Sequence, residues 1–216
     1  MKNHIKPIAI IFDLDGVIVH TDVYHYKAWK KLADRLCVSF DEQINNRLRG
    51  VSRMESLEII LGNSEFPALS ASEKEVLATE KNETYKELLQ VMSPADLSEE
   101  VRDTLQTLRE HGYKMAIGSS SRNARLILDK IGLDDFFDAI SDGNNITHSK
   151  PDPEVFLKAA EFLGLMPNEC IVVEDADAGI EAAHRAGMKA IAIGDAVLRG
   201  NGNWNIKTFR DILNIV

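Results

Sequence analysis

From Ser98 onward the sequence alternates short apolar runs with stretches whose apolar residues recur at helical spacing. The short runs are "KMAIGS" (114–119), "DAIS" (138–141), "CIVVED" (170–175) and "KAIAIG" (189–194). Around and between them lie "SEEVRDTLQTLREHG", which stops at Gly112, then "RNARLILDKIG", "PDPEVFLKAAEFLG" and "AGIEAAHRAG". Runs this short and apolar fit strands buried on both faces, and parallel strands need a crossover between them. The pattern predicts an α/β fold, with a parallel sheet covered by helices on both faces.

An earlier run, "PIAIIF" (7–12), has the same character and belongs to the same sheet. Between it and Ser98 only helical periodicity is found. In "DVYHYKAWKKLADRL" the residues Tyr26, Trp29, Leu32, Ala33 and Leu36 share one face. "SRMESLEIILG" opens with Ser52 and Glu55 in capping-box register and stops at Gly62. "SEKEVLATEKNETYKELLQVM" is a long helix with two candidate caps, Ser70 with Glu73 or Ser72 with Glu75. The expected organisation is a three-layer, Rossmann-like core from residues 1–19 and 92–216, with an all-helical domain, 20–91, inserted after the first strand.

Composition narrows the partners. With 216 residues, 44% of them hydrophobic, the chain supports an ordinary core, and its net charge of −9 disfavours nucleic acid or an anionic membrane as the main partner. No segment approaches the roughly 18 to 20 apolar residues that cross a bilayer. "MKNHIKPIAIIFDLDG" shows neither the long apolar run nor the cleavage site of a secretory leader, so a cytoplasmic location is expected. Cys37 and Cys170 lack CxxC spacing and read as two buried thiols. A monomer acting on a small molecule is the expectation.

Ligands of open parallel sheets bind at the carboxyl ends of the strands, and here those ends are polar. The first strand runs into Asp13-Leu14-Asp15-Gly16, the second into Ser119-Ser120-Ser121, and "IVV" into Glu174-Asp175. Lys150 lies just before a helix whose first turn holds Pro151 and Pro153. Hard carboxylate oxygens suit Mg²⁺. Lys150, Ser119 and neighbouring N–H groups suit the oxygens of a phosphoryl group, which leaves one carboxylate to attack phosphorus. Each piece has a plainer reading: DxDG as a turn, "SKPDPEVF" as a helix start, "EDADAG" as a solvated acidic turn. Their common placement at strand ends favours a site.

These segments resemble the four motifs of the haloacid dehalogenase superfamily: DLDGVIV, the Ser119 turn, Lys150 in SKPDPEVF, and Glu174-Asp175 in VVEDADAGI. The helical insertion is similar to the cap of that superfamily's first subclass. "HYKAWKKLADRL", "LRGVSRMESLEIIL", "KNETYKELLQVMSPAD" and "GSSSRN" look like the β-phosphoglucomutase branch. The resemblance implies Asp13 as the phosphoryl-carrying nucleophile and Asp15 as general acid/base. Mg²⁺ would be held by Asp13, the Asp15 backbone carbonyl and Asp175, with Glu174 close by. Ser119 and Lys150 would grip the transferring phosphate, with Ser120, Ser121, Arg122 and Asn123 near it. In the cap, Gly50, Val51, Ser52 and above all Arg53 would hold a second phosphate. His25 and Lys81 would help to position Asp15, and Trp29 would shape the cap wall. Conversion of β-glucose 1-phosphate to glucose 6-phosphate through a bound 1,6-bisphosphate is the implied reaction, and a sugar-phosphate phosphatase is the alternative.

Outside the resemblance, Arg53 could be a solvated side chain, although a cation in a first helical turn opposes the helix dipole. Lys81 could pair with a nearby Glu, and Trp29 could be plain core. Two departures from the family pattern stand out. His20 occupies a usually acidic position beside Thr21, and "LSEEV" lacks the usual Pro-Gly where the chain returns to the core.

Overall fold

A computed structural model describes residues 7–48, 51–62 and 67–216. The chain divides into two compact units, Met1–His20 with Met92–Val216, and Thr21–Val91.

The first unit is built on a six-stranded parallel sheet of order β3-β2-β1-β4-β5-β6. Its strands are β1 (Ala9–Phe12), β2 (Lys114–Gly118), β3 (Ala139–Ser141), β4 (Cys170–Glu174), β5 (Lys189–Ala192) and β6 (Trp204–Asn205). The helices α5 (Glu99–Glu110), α6 (Ala124–Lys130), α7 (Glu154–Leu163) and α8 (Asp177–Arg185) supply the crossovers. The all-apolar "AIIF" of β1 takes a central place, fully buried between β2 and β4.

The two faces of the sheet are packed differently. On one face Ala9, Ile11, Ala116, Val172 and Ala190 meet Ala159, Ala160, Ala182 and Ala183 of α7 and α8. So many small side chains let helix and sheet approach closely. The alternate residues carry bulk: Phe12 stacks on Phe209 at 5.7 Å between ring centroids and meets Phe137 edge-on at 6.2 Å. Phe209 lies on a short 3₁₀ helix, Phe209–Asn214, that packs beside α5.

Register places the site. Phe12 pairs with both Ile117 of β2 and Val173 of β4. The three strands therefore end at nearly one level, and Asp13, Ser119 and Glu174 leave the sheet side by side.

The second unit comprises α1 (Asp22–Arg35), α2 (Glu42–Asn46), α3 (Arg53–Leu61) and α4 (Ala71–Leu89). Trp29, Leu32, Leu57, Ile60 and Ala78 form its core. Complete capping boxes start α3 at Ser52–Glu55 and α4 at Ser70–Glu73, which settles the choice of cap for α4. No described helix is long and apolar enough to cross a membrane.

One sequence expectation needs correction, and two short elements went unseen. Cys37 is exposed rather than buried, although both cysteines are free thiols. It takes φ +55° just past α1, where Val38 N–H donates to Ala33 O at 2.9 Å and Cys37 N–H to Asp34 O at 3.1 Å. That is a Schellman ending with cysteine in the left-handed position, a site set by helix termination rather than by packing. Cys170 is buried as expected, its thiol pushed up to about 11 by burial and by Glu169. The two-residue β6 and the five-residue α2 are too short to show a period, and neither was separable in the sequence.

Phe156 of α7 is fully buried where Gly118 of β2 leaves room for its ring, a Cβ at that glycine falling 2.7 Å from it. Phe156→Ala should cost about 3–5 kcal/mol of unfolding free energy, read as a lowered urea midpoint.

Candidate active site

The site grows from the end of β1. Asp13 N–H donates to Val173 O at 2.9 Å, extending the ladder one residue, so Asp13 shares the sheet face of Ile11. The chain then turns back: Ile18 N–H donates to Leu14 O at 3.0 Å and Gly16 N–H to Val19 O at 2.8 Å. Buried Leu14, Val17, Ile18 and Val19 anchor this turn and leave Asp15 half-buried. Gly16 allows it with φ +87°, and a Cβ there would fall 2.1 Å from Asp175 Oδ2.

Lys150 reaches the same place from the chain ahead of α7. Its ammonium lies 2.5 Å from Asp13 Oδ1, 3.4 Å from Glu174 Oε1 and 4.8 Å from the centroid of the Phe156 ring. Burial alone would lower the Lys150 pKa, but Asp13 and Glu174 outweigh it and hold the group above the ordinary lysine value. Glu174 is pushed well above the usual glutamate range by burial and by the charge of Asp13, with Lys150 opposing.

One ammonium thus faces three carboxylates. Asp13, Glu174 and Asp175 each offer an oxygen, and these oxygens lie within 4.8 Å of one another. An all-oxygen donor set with excess negative charge fits a divalent hard cation such as Mg²⁺, which would relieve the repulsion that raises Glu174. Glu174 is seated against Gly179, where a Cβ would fall 1.7 Å from Oε1. The Asp15 side chain does not join this trio.

Ser119 to Asn123 form a tight loop after β2. Ser119 Oγ accepts the Ser121 N–H at 3.1 Å, and Ser121 Oγ accepts the Asn123 N–H at 3.2 Å. Each hydroxyl keeps its own proton to donate outward. Ser119 N–H is also engaged, by Ser141 O at 3.0 Å, so the loop offers fewer backbone donors than the sequence suggested. Ser120 differs: its Oγ is buried without a hydrogen-bond partner among the described residues. The Asn123 side chain is buried and that of Arg122 exposed.

The helical unit holds the remaining candidates. Lys81 is buried, with its ammonium 2.8 Å from His25 Nδ1, 4.8 Å from the Trp29 ring centroid and 4.6 Å from that of Tyr85. His25 stacks on Tyr85 at 4.0 Å, and Tyr85 OH donates to Thr21 Oγ1 at 3.1 Å. Burial, Lys81 and Arg53 together hold His25 well below its usual pKa, so the imidazole is neutral, accepts at Nδ1 and presents Nε2–H. Trp29 belongs to the unit's core, its ring facing Lys81. Ser52 is engaged in capping α3, while Val51 and Arg53 are half-buried. Gly50 lies outside the described residues. Phe156 under Lys150 and Gly179 behind Glu174 were not singled out in the sequence. A Gly in the first turn of a helix just after an acidic pair was the available signal for Gly179.

The raised Glu174 gives a pH test. A carboxyl whose pKa is higher in the folded state adds stability below its unfolded pKa and loses that contribution as pH rises through the folded one. His25 has the opposite sign, its contribution being lost as pH falls. Comparing metal-free wild type with Glu174→Gln isolates the carboxyl. The urea midpoint of the variant should gain on that of wild type as pH rises above the ordinary glutamate range, while its Mg²⁺ affinity falls.

The family model for haloacid dehalogenase-like hydrolases matches residues 10–193. The chain is 44% identical to β-phosphoglucomutase of Bacillus subtilis over 188 residues, 86% of this chain and 83% of the relative. It is 33% identical to fructose-1-phosphate phosphatase of Escherichia coli over 189 residues, 86% of this chain and 95% of the relative. The crystal structure of β-phosphoglucomutase from Clostridium difficile superimposes with a TM-score of 0.89 at 37% identity, covering 95% of this chain and 93% of that one. With a model that spans most of its length and relatives that share its whole architecture, the chain belongs to the haloacid dehalogenase-like hydrolase family.

Proposed function

We propose that the chain is a β-phosphoglucomutase. It would interconvert β-glucose 1-phosphate and glucose 6-phosphate through an aspartyl phosphate on Asp13 and a bound β-glucose 1,6-bisphosphate. The observation that carries this reading is the buried Asp13–Lys150 contact inside the acidic trio, in a chain 44% identical to a mutase of that name. A cytoplasmic monomer is the setting that accompanies it.

The chemistry follows from the residues. A carboxylate attacks a phosphate dianion poorly because like charges repel. Lys150 fixes one oxygen of Asp13 and leaves the other to reach phosphorus, while its positive charge offsets that of the incoming group. Mg²⁺, held by Asp13, Asp175, Glu174 and the Asp15 carbonyl, would neutralise phosphoryl oxygens. As the Asp13–phosphorus bond forms and the phosphorus–sugar oxygen bond breaks, Asp15 gives its proton to the departing oxygen. In the return step it takes the proton of the attacking sugar hydroxyl. Ser119 and the unpartnered hydroxyl of Ser120 donate to the phosphoryl oxygens in both steps.

Arg53 would be the helical unit's contact for the phosphate that is not reacting, and His25 and Lys81 would help to position Asp15. The His20 departure lies at an exposed position beside Thr21. A sugar-phosphate phosphatase is the second reading, favoured by the 33% identity to a fructose-1-phosphate phosphatase. The two differ only in whether a sugar hydroxyl or water takes the phosphoryl group from Asp13.

One assay separates them. With β-glucose 1-phosphate, Mg²⁺ and a trace of the bisphosphate, the mutase forms glucose 6-phosphate well ahead of free phosphate, and the phosphatase does the reverse. Asp13→Asn should abolish turnover with the fold intact, as judged by circular dichroism, because an amide cannot form the acyl phosphate. Arg53→Ala should lower mutase turnover about 10- to 150-fold, the worth of one charge-assisted contact, while labelling of Asp13 by acetyl phosphate barely changes. Loss of both activities together would make Arg53 structural.

A further inference from the structure

The loop that carries Ser119 to Asn123 does not hold its shape alone. Its outer anchors come from the tail of β3. Ser119 N–H donates to Ser141 O at 3.0 Å, Gly143 N–H to Ser121 O at 3.1 Å, and Asn144 Nδ2 to Arg122 O at 2.9 Å. A Cβ on Gly143 would fall 2.5 Å from Ser120 O and 3.0 Å from Arg122 N, so the two segments touch backbone to backbone.

Asp142 sets this turn. It is 1% exposed, and its Oδ1 accepts the Asn144 N–H at 2.8 Å. Its Oδ2 makes no hydrogen bond to any described residue and lies 4.0 Å from Nε of Arg125, in the first turn of α6 just beyond the loop. A nearly buried carboxylate oxygen without a hydrogen bond is costly, and such a group calls for an explanation in what it places.

We propose that Ser141–Asn144 is a template that fixes the phosphate-gripping loop, with Gly143 and Asn144 as positioning residues for the phosphoryl group. This rests on the reading of Ser119–Asn123 as that grip. The template's hydrogen bonds fall on Ser119, Ser121 and Arg122, the residues on either side of Ser120. Ser120 itself keeps a hydroxyl with no hydrogen-bond partner among the described residues. Pinning the neighbours while leaving the central donor unengaged is the arrangement that pre-orients it for a tetrahedral anion. Small displacements of such donors are expensive in affinity and rate.

The test uses the full chain with Mg²⁺ and four variants: Asn144→Ala, Asn144→Asp, Asn144→Gln and Gly143→Ala. Inorganic phosphate and Mg²⁺ are titrated separately by calorimetry, and KM, kcat and melting temperature are measured beside them. Asn144 is exposed, so its variants should melt like wild type. Asn144→Ala and Asn144→Asp lose the amide donor and should bind phosphate about 2- to 10-fold more weakly, with KM rising to match. Asn144→Gln keeps an amide and should recover part of the loss, whereas Gly143→Ala should lose more. Mg²⁺ affinity should not change. Asn144 variants that bind phosphate as wild type does would overturn the template, as would parallel losses of phosphate binding, Mg²⁺ binding and melting temperature. A wild type that binds no phosphate would instead overturn the grip reading, and the template with it.

Discussion

A lysine ammonium held in the interior by carboxylates is the interaction on which the first unit is organised. Lys150 could not stay charged there alone, because burial favours its neutral form. Asp13 and Glu174 reverse that preference, and Asp175 brings a third carboxylate close to theirs. Removing one partner would leave the others buried and uncompensated, a larger loss than the pair itself is worth.

Several ordinary features of the fold serve this cluster. The central position of β1 brings Asp13 level with the ends of β2 and β4. Gly16 and Gly179 leave the space that the side chains of Asp175 and Glu174 occupy. The Phe156 ring closes one side of the ammonium and also fills the interface between α7 and the sheet. Stability and chemistry draw here on the same side chains. The helical unit solves a related problem in another way: Lys81 is buried against two aromatic rings and the lone pair of a neutral histidine.

The architecture was legible because its signals are local and repeated. Buried parallel strands announce themselves as apolar runs, and Ser52–Glu55 marks a helix start with three letters of spacing. The polar strand ends were equally plain, since Asp13, Ser119 and Glu174 interrupt apolar runs at positions that the register then aligns. Less accessible were features that depend on contacts across the chain. Nothing in "LCVSF" shows that Cys37 will end a helix in the left-handed conformation with its side chain in solvent. Nothing in "SDGNN" shows that it will grip the loop after β2, because that contact joins segments about twenty residues apart through backbone atoms. Ser119 and Ser121 were read as ligand donors, but each hydroxyl also accepts a backbone N–H that shapes their own loop.

The strand order leaves two rims to the sheet, and both are minimal: β3 has three residues and β6 has two. An open rim invites pairing with another chain, and the risk grows with the length of unpaired backbone. The apolar, fully buried strands β1 and β4 are enclosed by neighbours on both sides. Only stubs border the sheet, one followed at once by the Asp142–Gly143 turn and the other by Ile206 and the final 3₁₀ segment. Resistance to edge-to-edge association is therefore built into the topology itself, and needs no charged guard residues along the rims.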